Sequence, residues 1–158
     1  MDGELKMKKF LCSVCCIVLL AAMVMPIFAV EVSEDNMQVV SREESVLDSG
    51  IRVIIETSVS QEARAANRTY SRTGTYYWGD TMIAKITIQG TFYYDGSTVR
   101  VVSKSVTQST TYDGWSYTQK SFTSSGGTIT LEGKLSKLLV LNQAVEMSLS
   151  CDVNGNIT

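Results

Sequence analysis

Residues 82–102 constrain the fold most, because runs of alternating apolar and polar side chains flank the dipeptide Asp95-Gly96. This pattern is a strong signal for a β-hairpin, since both turn positions favour a positive φ. A two-residue loop pairs Tyr94 with Ser97 and Phe92 with Val99, which gives one apolar and one polar face. The apolar face holds Ala84, Ile86, Ile88, Phe92, Val99 and Val101, and the polar face holds Lys85, Thr87, Gln89, Thr91, Arg100 and Lys104. Such a hairpin needs a second layer over its apolar face.

The same alternation recurs on both sides of this hairpin. Further strands are predicted at 51–60, 70–78, 115–123, 128–135 and 143–153. Short strands separated by turns, without long helical periodicity, predict an all-β fold: an antiparallel β-sandwich of about seven to eight strands. Between the last two strands, the apolar cluster at 135–141 fits either a helical turn or an irregular connection.

The N-terminus has the composition of a signal peptide. A basic start at 6–9 precedes an uncharged apolar run at 10–24, followed by Pro26 and the small residue Ala29. This pattern predicts a signal-peptide helix over 1–29, cleaved between Ala29 and Val30, and a secreted protein. The rival prediction is an uncleaved membrane anchor, because the uncharged run continues to Val30 and a span needs about 20 residues.

Residues 30–50 are acidic and without clear periodicity, and they are predicted to form a flexible leader. The predicted domain organisation is therefore a signal peptide at 1–29, this leader at 30–50 and a β-sandwich domain at 51–158. Three arginines in or beside the next predicted loop, Arg64, Arg68 and Arg72, raise the further hypothesis that a leader within 30–68 is removed by proteolysis.

Three turn-containing segments carry a resemblance: Gly-Thr-Phe-Tyr-Tyr-Asp-Gly-Ser-Thr at 90–98, Gly-Trp at 114–115 and Leu-Ser-Cys-Asp-Val-Asn-Gly-Asn at 149–156. With them, the chain resembles uncharacterised small exported β-rich proteins of Firmicutes, over residues 70–158. The resemblance implies a Gram-positive signal peptide followed by one β-rich domain of unknown function. It implies no activity, and it assigns no functional residue.

Composition argues against catalysis. The 158 residues include no histidine, which removes the commonest general base and the commonest zinc ligand. The protein is therefore predicted not to be an enzyme and to use no cofactor and no metal. A net charge of −2 gives no basic surface for nucleic acid. The predicted contact with membrane is through the signal segment before cleavage.

The remaining polar residues have structural interpretations. Asp80, Asp95 and Asp113 adjoin glycines, as expected in turns. The segment beginning at Asp152 resembles the start of a calcium loop but lacks the glycine and glutamate that such a loop needs, so a turn is predicted. Cleavage removes three of the four cysteines, and the fourth, Cys151, is predicted to be a buried apolar residue.

Aromatic residues are the candidate binding set, because exposed aromatics on a sheet stack on sugars or contact partner surfaces. The candidates are Tyr76, Trp78, Tyr93, Tyr112, Trp115 and Tyr117. The leading hypothesis is an extracellular, non-catalytic module that binds a glycan, peptide or protein through them. The alternative is a structural or self-associating surface protein, and an enzyme is the third. Core packing of Trp78 and Trp115 competes with the binding role, because one β-bulge between 102 and 112 would turn Trp115 inward.

Overall fold

The computed structural model describes residues 36–61, 67–138 and 140–158. The predicted signal segment, its cleavage site at Ala29 and Val30, and residues 30–35 of the predicted leader lie outside these ranges. The described residues confirm the all-β prediction and form eight strands in two antiparallel sheets. The strands are β1 Met37–Val46, β2 Arg52–Ser60, β3 Asn67–Trp78, β4 Thr81–Tyr94, β5 Val99–Thr110, β6 Trp115–Ser125, β7 Thr128–Lys137 and β8 Leu141–Ser150. Within the described residues there is no helix with the length and apolar character needed to cross a membrane.

Both sheets have strand neighbours in chain order. The larger sheet is β1-β2-β3-β4-β5 and the smaller one is β6-β7-β8. One hydrophobic cluster contains side chains of both, including Phe92 of β4 and Leu131 of β7, which are fully buried. The backbone also joins the sheets, since the Val101 amide donates to the Gly126 carbonyl at 3.2 Å.

The predicted central hairpin is β4 and β5, but its loop is longer than predicted. Tyr94 pairs with Val99, and the loop spans 95–98. This register differs by two residues from the predicted one, so the alternation is preserved and Phe92 still faces the core. A β-bulge at Val102 then reverses the pattern, because Phe92 pairs with Val101 while Thr91 pairs with Ser103. Lys104 was predicted on the polar face. It lies opposite Gly90 on the inward side instead, and its ammonium group donates to the Phe122 carbonyl at 2.9 Å.

Residues 37–46, predicted as part of a flexible leader, form strand β1 at the edge of the larger sheet. All of β1 except Met37 is exposed, so no apolar face produces an alternating pattern there. Its antiparallel pairing with β2 holds it in place, together with ion pairs from Arg42 to Glu56 and from Arg52 to Glu44. The larger sheet therefore begins before Ile51, where the first strand was expected.

Asp95 closes the central hairpin through its side chain. The carboxylate accepts hydrogen bonds from the Ser97 and Thr98 amides at 2.9 and 2.7 Å and from the Thr98 and Tyr93 hydroxyls. The bonds from Thr98 and Ser97 amides lower the pKa of Asp95 to about 2. A charged carboxylate with these donors stabilises the folded chain.

We therefore expect the Asp95→Asn variant to be less stable than wild type at pH 7. Because the folded pKa lies below the ordinary value of about 3.9, this advantage is complete above that value and is lost as pH falls towards 2. Urea denaturation midpoints of both proteins between pH 2 and 7 measure it. Asparagine keeps the turn preference, and Asp152, whose pKa is also lowered, is present in both proteins. A difference in midpoint that stays constant across the range would contradict the prediction.

Candidate functional site

Beside the β1–β2 turn, three further chain reversals lie at the same end of the two sheets: β3 to β4, β5 to β6, and β7 to β8. The Thr111 amide donates to the Ile83 carbonyl at 3.2 Å, and its hydroxyl donates to the Met82 carbonyl at 2.8 Å. The Leu138 amide donates to the Gly114 carbonyl at 3.0 Å. The Thr111 bonds join the β5–β6 connection to the start of β4, and the Leu138 bond joins the same connection to the β7–β8 turn.

Large apolar side chains are exposed around these three turns. The most exposed are Leu138 at 73% and Val140 at 89%, both between β7 and β8. We define the turn-end patch as Trp78, Met82, Tyr112, Leu138 and Val140. The other exposed large apolar residues described are Val39, Val40 and Val46 on β1 and Val102 on β5. The patch thus gathers apolar residues from both sheets on one surface.

Leu138 has an unusual backbone for its side chain. Its φ is +48°, and it is the one described residue other than glycine with a positive φ. This region costs an L-residue with a large side chain about 1–2 kcal/mol, whereas asparagine and glycine tolerate it. The fold therefore holds an apolar residue, exposed and strained, at the tip of the patch.

Trp78 of the patch packs against a second tryptophan, Trp115. The rings of Trp78 and Trp115 are 5.9 Å apart, and Lys137 Nζ lies 5.3 Å from the first ring and 5.8 Å from the second. Trp115 is buried and Trp78 is partly exposed. Trp115 therefore supports Trp78 from the core, and Lys137 makes a cation–π contact with both.

The aromatic candidates do not form one surface. Trp78 and Tyr112 belong to the turn-end patch, whereas Tyr76 and Trp115 belong to the core. Tyr117 is partly buried against the core, with its ring over Gly133. Tyr93 lies at the opposite end of β4, where its ring contacts Arg100 and its hydroxyl contacts Asp95. The alternative prediction, that a β-bulge between 102 and 112 turns Trp115 into the core, agrees with the bulge at Val102 and with the burial of Trp115.

Two side chains of β6, Trp115 and Tyr117, have buried polar atoms without a partner among the described residues. These atoms are Trp115 Nε1 and the Tyr117 hydroxyl. Burial raises the pKa of Tyr117, so the hydroxyl stays protonated near neutral pH. A buried hydroxyl without a partner costs stability.

The Tyr117→Phe variant removes that hydroxyl and keeps the ring over Gly133. We expect its free energy of unfolding to be unchanged or higher by up to about 1 kcal/mol. Urea denaturation measures it, and Tyr70→Phe is the matched control because the Tyr70 hydroxyl donates to the Gly155 carbonyl at 2.7 Å. The control should lose about 0.5–1.5 kcal/mol. An equal loss in both variants would show that the Tyr117 hydroxyl has a partner.

Candidate reactive groups are engaged in structure. Burial, followed by the charge of Asp152, raises the pKa of the Cys151 thiol to about 11, so it is protonated at neutral pH. The Asp152 carboxylate accepts hydrogen bonds from the Asn154 and Asn156 amides and from the Asn156 side chain, each at 2.8 Å. These bonds close the predicted turn near the C-terminus.

Comparison with known protein families, curated proteins and solved structures found no match to this chain. The apolar cluster at 135–141 was expected to be a helical turn or an irregular connection, and Leu138 and Val140 were not among the predicted binding residues. A run of Leu-Leu-Val-Leu at 138–141 between two strands was the signal, because turns favour polar residues.

Proposed function

We propose that this protein is an exported, non-catalytic binding module that holds a partner protein through the turn-end patch. The observation that carries the proposal is the exposed, strained Leu138 beside Val140 and Trp78. Strain at an exposed apolar residue reduces stability without improving the core, which is typical of a residue kept for binding. We also infer that the two sheets stack as a β-sandwich, supported by the cluster that they share.

A protein surface fits the patch better than a glycan or a bilayer. A glycan site needs exposed rings as a stacking platform. Trp78 and Tyr112 are exposed in the patch, but the aliphatic Leu138 and Val140 are more exposed than either ring. Asp80 and Asp113 lie in the same turns, and these carboxylates disfavour an anionic lipid surface. Lys137 adds a cation beside the tryptophans. An apolar centre with a mixed charged rim is typical of protein interfaces.

Binding is tested by Leu138→Asn combined with Val140→Thr. Asparagine tolerates a positive φ, so this variant should be at least as stable as wild type in urea while the apolar tip is lost. The matched control is Val39→Thr with Val102→Thr, which removes exposed valines away from this end of the sheets. Immobilised wild type and control should retain the same surface protein of the producing cells, and the patch variant should lose it. With that partner purified, the patch variant should bind about 30-fold more weakly.

Three results would overturn the proposal. The first is that the patch variant retains the same partner as wild type. The second is that wild type binds phosphatidylglycerol vesicles instead of a protein, and the third is that it binds only another copy of itself. Light scattering across concentrations detects the last of these. Urea denaturation of the same preparations shows that each variant is folded, so a loss of binding is not a loss of folding.

Self-association is the second candidate, and β1 favours it. This edge strand is ten residues long, and exposed Val39 and Val40 lie near its start. An open edge strand can pair with another chain, although Arg42 and Glu43 in its middle oppose this by charge. A molecular mass that rises with concentration in wild type, but not in Val40→Lys, would favour this candidate over the patch.

A further inference from the structure

A second feature lies away from the turn-end patch, over the first half of β3. A cavity of about 350 Å³ opens there between strands β1 to β3 and the segment after β8. Arg68, Tyr70 and Arg72 line it from β3, Thr57 lines it from β2, and Gly155 lines it from the C-terminal segment. Its volume is within the lower part of the range of about 300–1,000 Å³ usual for small-ligand sites.

Both arginines lie on the inward side of their sheet. Arg68 pairs with the buried Phe92, and Arg72 pairs with the buried Thr57. Inward positions of a sheet ordinarily hold apolar residues, because burying a charge without a partner is costly. Arg68 and Arg72 are half-buried at such positions, on either side of Tyr70, so part of this cost applies to both cations.

Neither arginine has a carboxylate partner among the described residues. The ion pairs described are Arg42 with Glu56 and Arg52 with Glu44. Arg72 is fixed in place, since its Nε donates to the Thr57 hydroxyl at 3.1 Å and its Nη1 donates to the Ser148 carbonyl. These two bonds orient the guanidinium and leave its other N–H groups for a ligand.

Arg68 carries the stronger signal. Its Nε is buried and has no acceptor among the described residues. A buried donor without an acceptor costs about 1–3 kcal/mol, and the cost is larger for a charged group. An acceptor brought by a ligand would remove that cost.

We propose that this cavity binds an oxyanion, held by Arg68 and Arg72. The planar guanidinium matches the paired oxygens of carboxylates, phosphates and sulfates, and such charge-assisted bonds are about twice as strong as neutral ones. Two cations in one cavity, without a carboxylate partner in the part of the chain that the structure describes, also attract anions over distance. The Thr57 hydroxyl on the same lining accepts from Arg72 and keeps its own hydrogen for a ligand, whereas the Tyr70 hydroxyl donates to the Gly155 carbonyl. This site rests on residues separate from the turn-end patch.

The test is thermal unfolding of the full chain with sodium phosphate, sulfate or acetate, at ionic strength held constant with sodium chloride. We expect the midpoint temperature to rise with one or more of these anions and to saturate, and calorimetric titration then gives its Kd. Comparison of acetate with phosphate and sulfate separates a carboxylate ligand from a tetrahedral one.

Arg68→Gln should raise that Kd at least tenfold, and Arg68→Lys, which keeps the charge without the fork, should raise it less. Arg100→Gln is the control, because it changes net charge equally at an arginine that stacks on Tyr93 away from the cavity. Equal weakening in Arg68→Gln and Arg100→Gln would overturn the proposal as a general charge effect. A wild type that responds to none of the three anions would overturn it as well. Before its Kd is compared, each variant must show the same midpoint temperature as wild type in sodium chloride alone, which shows that it is folded.

Discussion

Replacing Phe92 with alanine is expected to lower the free energy of unfolding by about 3–5 kcal/mol. The side chain is fully buried, and its ring meets that of Tyr70 edge-on at 6.0 Å. It also packs beside Gly90, where the smaller sheet approaches with Ile129. Alanine therefore removes contacts with both sheets and leaves a cavity between them. Because small domains are stable by only about 5–15 kcal/mol, the loss is a large share of the total.

Urea denaturation followed by circular dichroism measures this effect. Val102→Ala is the control on the neighbouring strand, where the side chain is half exposed, and it should change stability by less than about 0.5 kcal/mol. Phe92→Leu should fall between the two, because it retains most of the apolar volume. If Phe92→Ala costs less than about 1 kcal/mol, the two sheets do not share the core described above.

The faces of the central hairpin were predictable from sequence, whereas its register was not. Alternation depends only on odd and even positions, so an error of two residues leaves Phe92 and Val101 facing inward. The error arose because the Asp95 side chain bonds the Ser97 and Thr98 amides and closes a longer loop than the dipeptide suggests. A bulge between 102 and 112 was an open alternative from sequence, but its presence at Val102 was not predictable, because an extra residue in a strand has no fixed sequence signature.

Strand β1 and the binding surfaces show a related limit. An edge strand with two exposed faces has no hydrophobic period, so Met37–Val46 resembled a leader. The turn-end patch combines three turns that are distant in sequence, and only the pairing of strands brings these turns to one end of the sheets. Arg68 and Arg72 have the spacing of residues on one strand face, but which face is inward follows from the register with β2.

Gly127→Ala is expected to be the most damaging of the small substitutions, lowering the free energy of unfolding by about 3 kcal/mol, at the upper end for overpacking. A Cβ at this position would overlap the backbone carbonyl of Cys151 and would lie 2.9 Å from both methyl groups of Val99. The overlap cannot be relieved by a side-chain rotation, because the Cys151 amide donates to the Gly127 carbonyl at 2.8 Å and holds the two backbones together. The strands must separate at the point where the C-terminal segment meets the smaller sheet.

Gly90→Ala is the informative comparison for that variant. There the added Cβ would meet the end of the Ile129 side chain and the edge of the Phe92 ring, and both are side-chain atoms. Ile129 can change rotamer, so we expect a smaller loss, about 1–2 kcal/mol, by urea denaturation. A larger loss of unfolding free energy in Gly127→Ala than in Gly90→Ala would show that backbone atoms fix the contact at Gly127, whereas side chains can adjust at Gly90. A Gly127→Ala protein as stable as Gly90→Ala would mean that the segment after β8 is free to move away, and the wall that it gives to the arginine cavity would then also be movable.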